Sequence, residues 1–436
     1  MKNIFKQVIV SILLITVAAT FISCSNKSIN NINDRDVEGS ITVWSWNNEL
    51  LTSGIIDKFN EEYPNITVNL VTIPNDNNAY SIKLFSTLKS GIRTPDVFLS
   101  EAANVKRMCN ADYYENLSEG DYNLEEVTEN MVPYTVDLGR NDSDGSLRAL
   151  TWQATPGGFF YRKSLAKQYL GTDDPKEIQN MISTYDGLMA TGKKLNEASN
   201  NKVKLLASYE ELYNVISGSR SNGWVKDGKL VIDPEMYKYL DYAMEIKNNN
   251  LQLDAAQWTQ KWTDSMAEGS VLGYMLPTWG VNGVLLANAP ETKGDWTFVQ
   301  APTPYYWGGT WLGIYKGSKN KDLSYLFVKY ITTNSDFLKS YAKETGDFVN
   351  NIIVQNEISN SEDGNNDFVS GQNLYSSYSQ LVPYIKGDTV TEYDEKIKTL
   401  WYDNAVLYIS SRITKDEMIN RFKNSVKEQF PEIDID

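Results

Sequence analysis

Between residues 41 and 99 the hydrophobic pattern changes period repeatedly, and each change dictates the next element. Ile41-Thr42-Val43-Trp44-Ser45-Trp46 alternates with period two, placing Ile41 and Val43 on one face and Thr42, Trp44 and Trp46 on the other. Leu51, Ile55, Ile56 and Phe59 then share one face of a helix that Pro64 ends. Ile66, Val68 and Leu70 alternate again, and Pro95 to Leu99 is a short apolar strand. Strand, helix, strand, helix, strand is the pattern of a parallel sheet covered by helices, so the fold class is α/β.

The rest of the chain alternates between helical and strand-rich zones. Asp144-Gly145 marks a tight turn, and Ser164 is placed to cap a helix carrying Leu165, Tyr169 and Leu170, stopped by Gly171. Residues 173–261 are mainly helical, 271–314 are strand-rich, and the C-terminal third is helical. At 436 residues there is room for two or three domains.

Charge and composition remove whole classes of function. The net charge of −15 argues against nucleic acid, whose phosphates need clustered Lys and Arg. There is no histidine, which removes Ser-His and Cys-His nucleophile systems and every imidazole metal site. Gly187 to Lys193 fits a phosphate-loop spacing, but Lys194 stands where the magnesium-binding Ser or Thr belongs, and the segment reads as helix. Asp142-Ser143-Asp144-Gly145 is similar to a calcium loop, yet Arg140 takes its first ligand position and Thr151 its twelfth. Paired carboxylates for glycoside hydrolysis are not marked out among 56 acidic residues, and not excluded by them. Eleven tryptophans exceed what the core of such a chain asks for, so some are expected to face a ligand.

Lys2 and Lys6 precede an apolar run from Val8 to Ile22, the layout of a secretory signal. Phe21-Ile22-Ser23-Cys24 resembles a bacterial lipobox, in which Cys24 becomes the lipidated first residue; a plain signal peptide or a single membrane anchor fits the same residues. The only other cysteine, Cys109, then has no disulfide partner and is expected in the core. Ser25 to Gly39 reads as a flexible tether.

Pro156-Gly157-Gly158, after Trp152 and Gln153, reads as a flexible joint. Around it, several stretches resemble one family in the same order: the family 1 extracellular solute-binding proteins of ABC importers. They are ITVWSWNNE (41–49), FNEEYPNITVNL (59–70), GIRTPDVFLSEA (91–102) and DGSLRALTWQATPGGFFYRKSLAKQYLG (144–171), then MLPTWGVNGVL (275–285), WLGIYKGSKNKDLSYLFVKYITT (311–333), FVSGQN (368–373) and TEYDEKIKTLW (391–401).

The resemblance implies a periplasmic-binding-protein-like fold: two α/β lobes joined by about three hinge crossovers, with a ligand cleft between them. The lobes would be 40–152 plus 310–345 and 153–309 plus 346–436. It implies a binding protein without catalytic residues, metal or cofactor, a monomer tethered by lipid to the outer face of the bacterial cell membrane. Its partners would be a carbohydrate and the transmembrane subunits of an ABC permease. Aromatic rings stack on the C–H face of a sugar, and amides and carboxylates bind its hydroxyls. The candidate set is Trp46, Asn47, Asn48, Glu101, Trp152, Gln153, Trp279, Trp307, Trp311 and Asp347. Thr155 stands where maltodextrin-binding members carry Glu, which argues against maltodextrin. Two other readings of the chain are an exported glycoside hydrolase and the same fold binding a polyamine or phosphate ester.

Overall fold

A computed structural model of the chain describes residues 37–435. The signal segment 1–23, Cys24 and most of the tether lie outside the described residues. The strands, in chain order, are β1 (Gly39–Ser45), β2 (Ile66–Thr72), β3 (Val97–Glu101), β4 (Pro156–Arg162), the short hairpin β5 (Val225–Lys226) and β6 (Lys229–Leu230), β7 (Gly273–Pro277), β8 (Trp296–Val299), β9 (Tyr305–Tyr306), β10 (Thr310–Ile314), β11 (Asn365–Asn366) and β12 (Gln372–Asn373).

They form two main sheets, one for each lobe. The first has the order β10-β3-β1-β2. β1 runs parallel to β2 and β3, with Ile41 opposite Val68 and Val43 opposite Val97, as the alternation requires. β10 enters antiparallel to β3, so Thr310 lies opposite Glu101. The helix Ile55–Glu62 covers this sheet through Ile55, Ile56 and Phe59, and Phe59 meets Phe327 edge-on at 5.0 Å on the helix Lys321–Thr333. Burying such a ring is worth about 1.5–3 kcal/mol. The helical run of 51–59 is broken once: Gly54, at φ +76°, separates Glu49–Thr52 from Ile55–Glu62.

In the second sheet β4 is central, flanked by β7 and β8 and paired at its start with β9, all antiparallel to it. The Pro156-Gly157-Gly158 joint is therefore not a flexible hinge but the first half of a buried strand. Its glycines serve packing. A Cβ on Gly157 would stand 2.3 Å from the Tyr305 ring, and one on Gly158 would stand 2.4 Å from the Phe298 ring. Just before β4 the chain leaves the first sheet, where Leu150 bridges to Leu312, and Gln153 bridges to Val349.

Two local expectations change. The helix after β4 spans Lys163–Leu170 and ends at left-handed Gly171, but Ser164 is not its N-cap. Asp295 does that work, accepting from the Ser164 amide at 2.8 Å and its hydroxyl at 2.5 Å. The phosphate-loop look-alike lies inside the helix Tyr185–Ala198, where Gly192 packs against Leu205. Cys109 is fully buried, its Sγ 3.4 Å from the Gly139 carbonyl oxygen, and burial pushes its thiol up to about 12. Among the described residues no helix is long and apolar enough to cross a membrane.

Candidate functional site

The strand registers bring one set of residues to the edge between the lobes. In open α/β sheets, ligands sit beyond the carboxyl ends of the strands. β1 ends into Trp46-Asn47-Asn48 and β3 ends at Glu101. Because β10 is antiparallel to β3, the segment leading into it arrives at the same edge, and the Ala102 amide donates to the Gly309 carbonyl at 3.1 Å. In the second lobe Gly157 faces both Pro277 and Tyr305, so the chains leaving β7 and β9 emerge side by side. They carry Trp279 and Trp307.

These two indoles form an aromatic cluster with a third that sequence reasoning missed. Trp279 and Trp307 lie 5.2 Å apart at 62°, and Trp279 Nε1 donates to the Trp307 carbonyl at 3.2 Å. Trp258 stacks on Trp279 at 6.1 Å and 20° and meets Trp307 edge-on at 6.1 Å. Trp258 is 62% exposed and left-handed at φ +67°. A bulky residue there carries backbone strain, and a largely exposed indole forgoes burial. Trp258 falls in the run 173–261, expected to be mainly helical, but the helix there begins only at Gln260.

Beside this cluster a cavity of about 160 Å³ opens between the lobes. Glu101, Ala102 and Ala103 line it from the first lobe; Asn214, Arg220, Trp307, Asp394, Glu395 and Lys398 line it from the second. Burial, then the nearby Glu395, raises the Glu101 carboxyl above its ordinary range, against the opposing charge of Lys398. Burial, then Arg220, lowers the Lys398 ammonium to about 8. Glu101, Glu395, Lys398 and the Asn214 amide make no side-chain hydrogen bond or close ion pair among the described residues, so donors and acceptors alike stand ready for a polar ligand.

A second polar group lies at the crossover. Tyr341 Oη donates to Asp347 Oδ2 at 3.1 Å and receives Trp152 Nε1 at 3.3 Å. Burial raises Asp347 to about 6, and burial with the charge of Asp347 raises Glu49 to about 7. Half-buried Trp46 packs edge-on to Tyr80 at 5.7 Å on the same lobe.

The structure thus brings Glu101, Trp279 and Trp307 to the interlobe edge, with Asp347 at the crossover. Trp46 and Asn47 are half-buried and Asn48 is exposed at the end of β1; the Asn47 carboxamide oxygen accepts from the Glu49 amide at 3.1 Å and orders the turn. Trp152 and Trp311 are corrections. Both are fully buried, with Trp311 Nε1 donating to the Thr135 carbonyl at 2.9 Å, so neither offers a ring face to solvent. Gln153 is also buried, and its amide donates to Thr310 Oγ1 at 3.1 Å across the lobe passage. Arg220 and Asn214 carried no sequence signal, and Glu395 and Lys398 lay in the family-like stretch 391–401 without being marked as site residues, because segments far apart in the chain bring the four together.

Comparison with known proteins agrees with this architecture. A family model described as bacterial extracellular solute-binding protein matches residues 54–356. A solved extracellular solute-binding protein of family 1 superposes with a TM-score of 0.79 at 15% identity, over 89% of this chain and 99% of that one. The galacto-N-biose-/lacto-N-biose I-binding protein of the ABC transporter from Bifidobacterium longum, solved with lacto-N-biose, gives 0.72 at 18% identity, over 92% and 99%. The ABC transporter associated binding protein from B. animalis subsp. lactis Bl-04, solved with beta-1,6-galactobiose, gives 0.70 at 17%, over 90% and 98%. At these identities the solved structures speak for the two-lobe fold, and the family match speaks for the kind of protein: the chain belongs to the bacterial extracellular solute-binding proteins.

Proposed function

We propose that the chain captures a carbohydrate, an oligosaccharide, between its lobes and delivers it to the transmembrane subunits of an ABC importer. It works outside the cytoplasm as a monomer held by lipid on Cys24, and it does no chemistry on its ligand. The observation that carries this reading is the cluster Trp258, Trp279 and Trp307 beside a cavity whose lining includes the unpaired Glu101, Glu395, Asn214 and Lys398. Indoles offer apolar faces to pyranose C–H surfaces, and charged groups make the stronger hydrogen bonds to hydroxyls. A ring set extending from the cavity to an exposed indole suits more than one sugar unit. Ligand contacting both lobes would stabilise their closed arrangement.

The pair Glu49 and Asp347 favours a second reading, a polyamine. Two acids whose ionisation is held back by burial, Glu49 also by the charge of Asp347, would be relieved by an ammonium group. A thermal-shift screen separates the two, because a ligand of the folded state raises the melting temperature by mass action. The carbohydrate reading expects shifts with neutral oligosaccharides. It fails if spermidine shifts the transition and no saccharide does.

A further inference from the structure

Arg220 is held on every side but one. It is 3% exposed. Its Nε donates to the Ser217 carbonyl at 2.8 Å, and its Nη2 to Asp394 Oδ2 at 2.5 Å. The guanidinium lies over the Trp224 ring at 4.8 Å. Asp394 is itself fixed, its Oδ1 accepting from the Thr391 amide at 2.9 Å and hydroxyl at 3.0 Å. The planar fork therefore cannot turn to satisfy its remaining nitrogen, and Nη1 is buried without a partner. A buried donor on a charged group is costly when it goes unmet. Arg220 also lines the interlobe cavity, together with Lys398, Trp307 and Glu101.

We propose that Arg220 is a specificity-determining residue of the cleft, whose Nη1–H donates to an oxygen of a neutral saccharide ring seated in this cavity. The inference rests on the carbohydrate reading above. Neutrality follows from the lining. Arg220, Lys386 and Lys398 face Glu101, Asp394 and Glu395 around the same space. Asp394 already neutralises Arg220, and the two lysines balance Glu101 and Glu395, so the lining holds no net positive charge to offset the desolvation of a ligand carboxylate or phosphate. A hydroxyl or ring oxygen offers Nη1 a lone pair without that cost, and a hydroxyl also donates to the open carboxylates.

The test is calorimetric. The probe is whichever of lacto-N-biose, beta-1,6-galactobiose and maltotriose binds the wild-type protein most tightly, with its monodeoxy analogues and its terminal uronate analogue. Arg220→Lys keeps the charge beside Asp394 but removes the Nη1 edge, and about 10- to 100-fold weaker binding is expected, the range for a hydrogen bond from a charged donor. One monodeoxy analogue should lose a similar factor against wild type and almost nothing further against Arg220→Lys, which is the signature of a direct contact. Thr391→Val removes a single hydrogen bond from Asp394 and should weaken binding several-fold; it carries the test if Arg220→Lys does not fold. Unchanged affinity in the folded variants, or deoxy losses that add in full, would overturn the role of Arg220 and leave the carbohydrate reading standing. Tighter binding of the uronate than of the neutral probe would do the same. Binding of no neutral saccharide overturns both.

Discussion

Trp258 lies parallel to Trp279, ring centroids 6.1 Å apart and planes 20° apart, yet remains 62% exposed on a left-handed backbone. The chain thus holds a large apolar ring at the surface in a conformation that costs roughly 1–2 kcal/mol for a residue with a Cβ. One side of the ring packs at 5.2 Å on buried Trp262, and the exposure and strain fit the ligand face proposed above.

Trp258→Gly follows directly. Glycine relieves the left-handed strain, so the melting temperature should hold or rise, while removal of the outer ring weakens oligosaccharide binding by up to about tenfold. Thermal denaturation and calorimetry on the same variant check the two halves. A fall in stability with unchanged affinity would make Trp258 a packing residue.

The acids at the crossover give a pH dependence of defined sign. Asp347 rises from 3.8 to about 6 and Glu49 from 4.5 to about 7 on folding, so the folded state binds more protons than the unfolded state between those values. Their contribution to stability is fully present below about pH 4 and is lost as pH rises to about 7. The double variant Asp347→Asn, Glu49→Gln should therefore show a flatter stability profile between pH 4 and 7 and a higher melting temperature at pH 7.5. Denaturation across that range reads it directly.

Glu211 ties the second lobe together from inside. Its Oε2 accepts the Met275 amide at 2.7 Å and its Oε1 the Ala207 amide at 3.1 Å, and burial raises its carboxyl to about 8. Glu211→Ala strands two buried donors and should cost about 2–5 kcal/mol in urea denaturation. A loss under about 1 kcal/mol would mean that water replaces both contacts.

Gly158→Ala should destabilise by about 1–3 kcal/mol, the range for overpacking, because the added methyl would stand 2.4 Å from the Phe298 ring and 2.6 Å from the Val299 carbonyl oxygen. Were Gly157-Gly158 a hinge instead, the same change would alter ligand affinity more than stability.

The Gly157-Gly158 pair also marks where sequence reasoning ends. Periodicity located β1, β2 and β3 because their buried positions are set by their own alternation. It could not separate a bending glycine from one excluded by the Tyr305 and Phe298 rings, which come from strands more than 130 residues away. The candidate site divides in the same way. Glu101, Trp279 and Trp307 follow strand ends, which the sequence exposes. Trp152 and Trp311 sit at neighbouring positions, but tertiary hydrogen bonds to Tyr341 and Thr135 turn them inward. Arg220 and Lys398 meet only because the helices Glu210–Gly218 and Asp394–Ile409 converge on the cleft.

The central claim is tested most directly by titrating neutral oligosaccharides into the wild-type protein and into Trp279→Ala in a calorimeter. The account predicts one-to-one binding of at least one saccharide to the wild type, weakened about tenfold or more in Trp279→Ala, whose ring joins both other indoles of the cluster. Saccharide binding that ignores the loss of Trp279, or heat from spermidine and from no sugar, would contradict it.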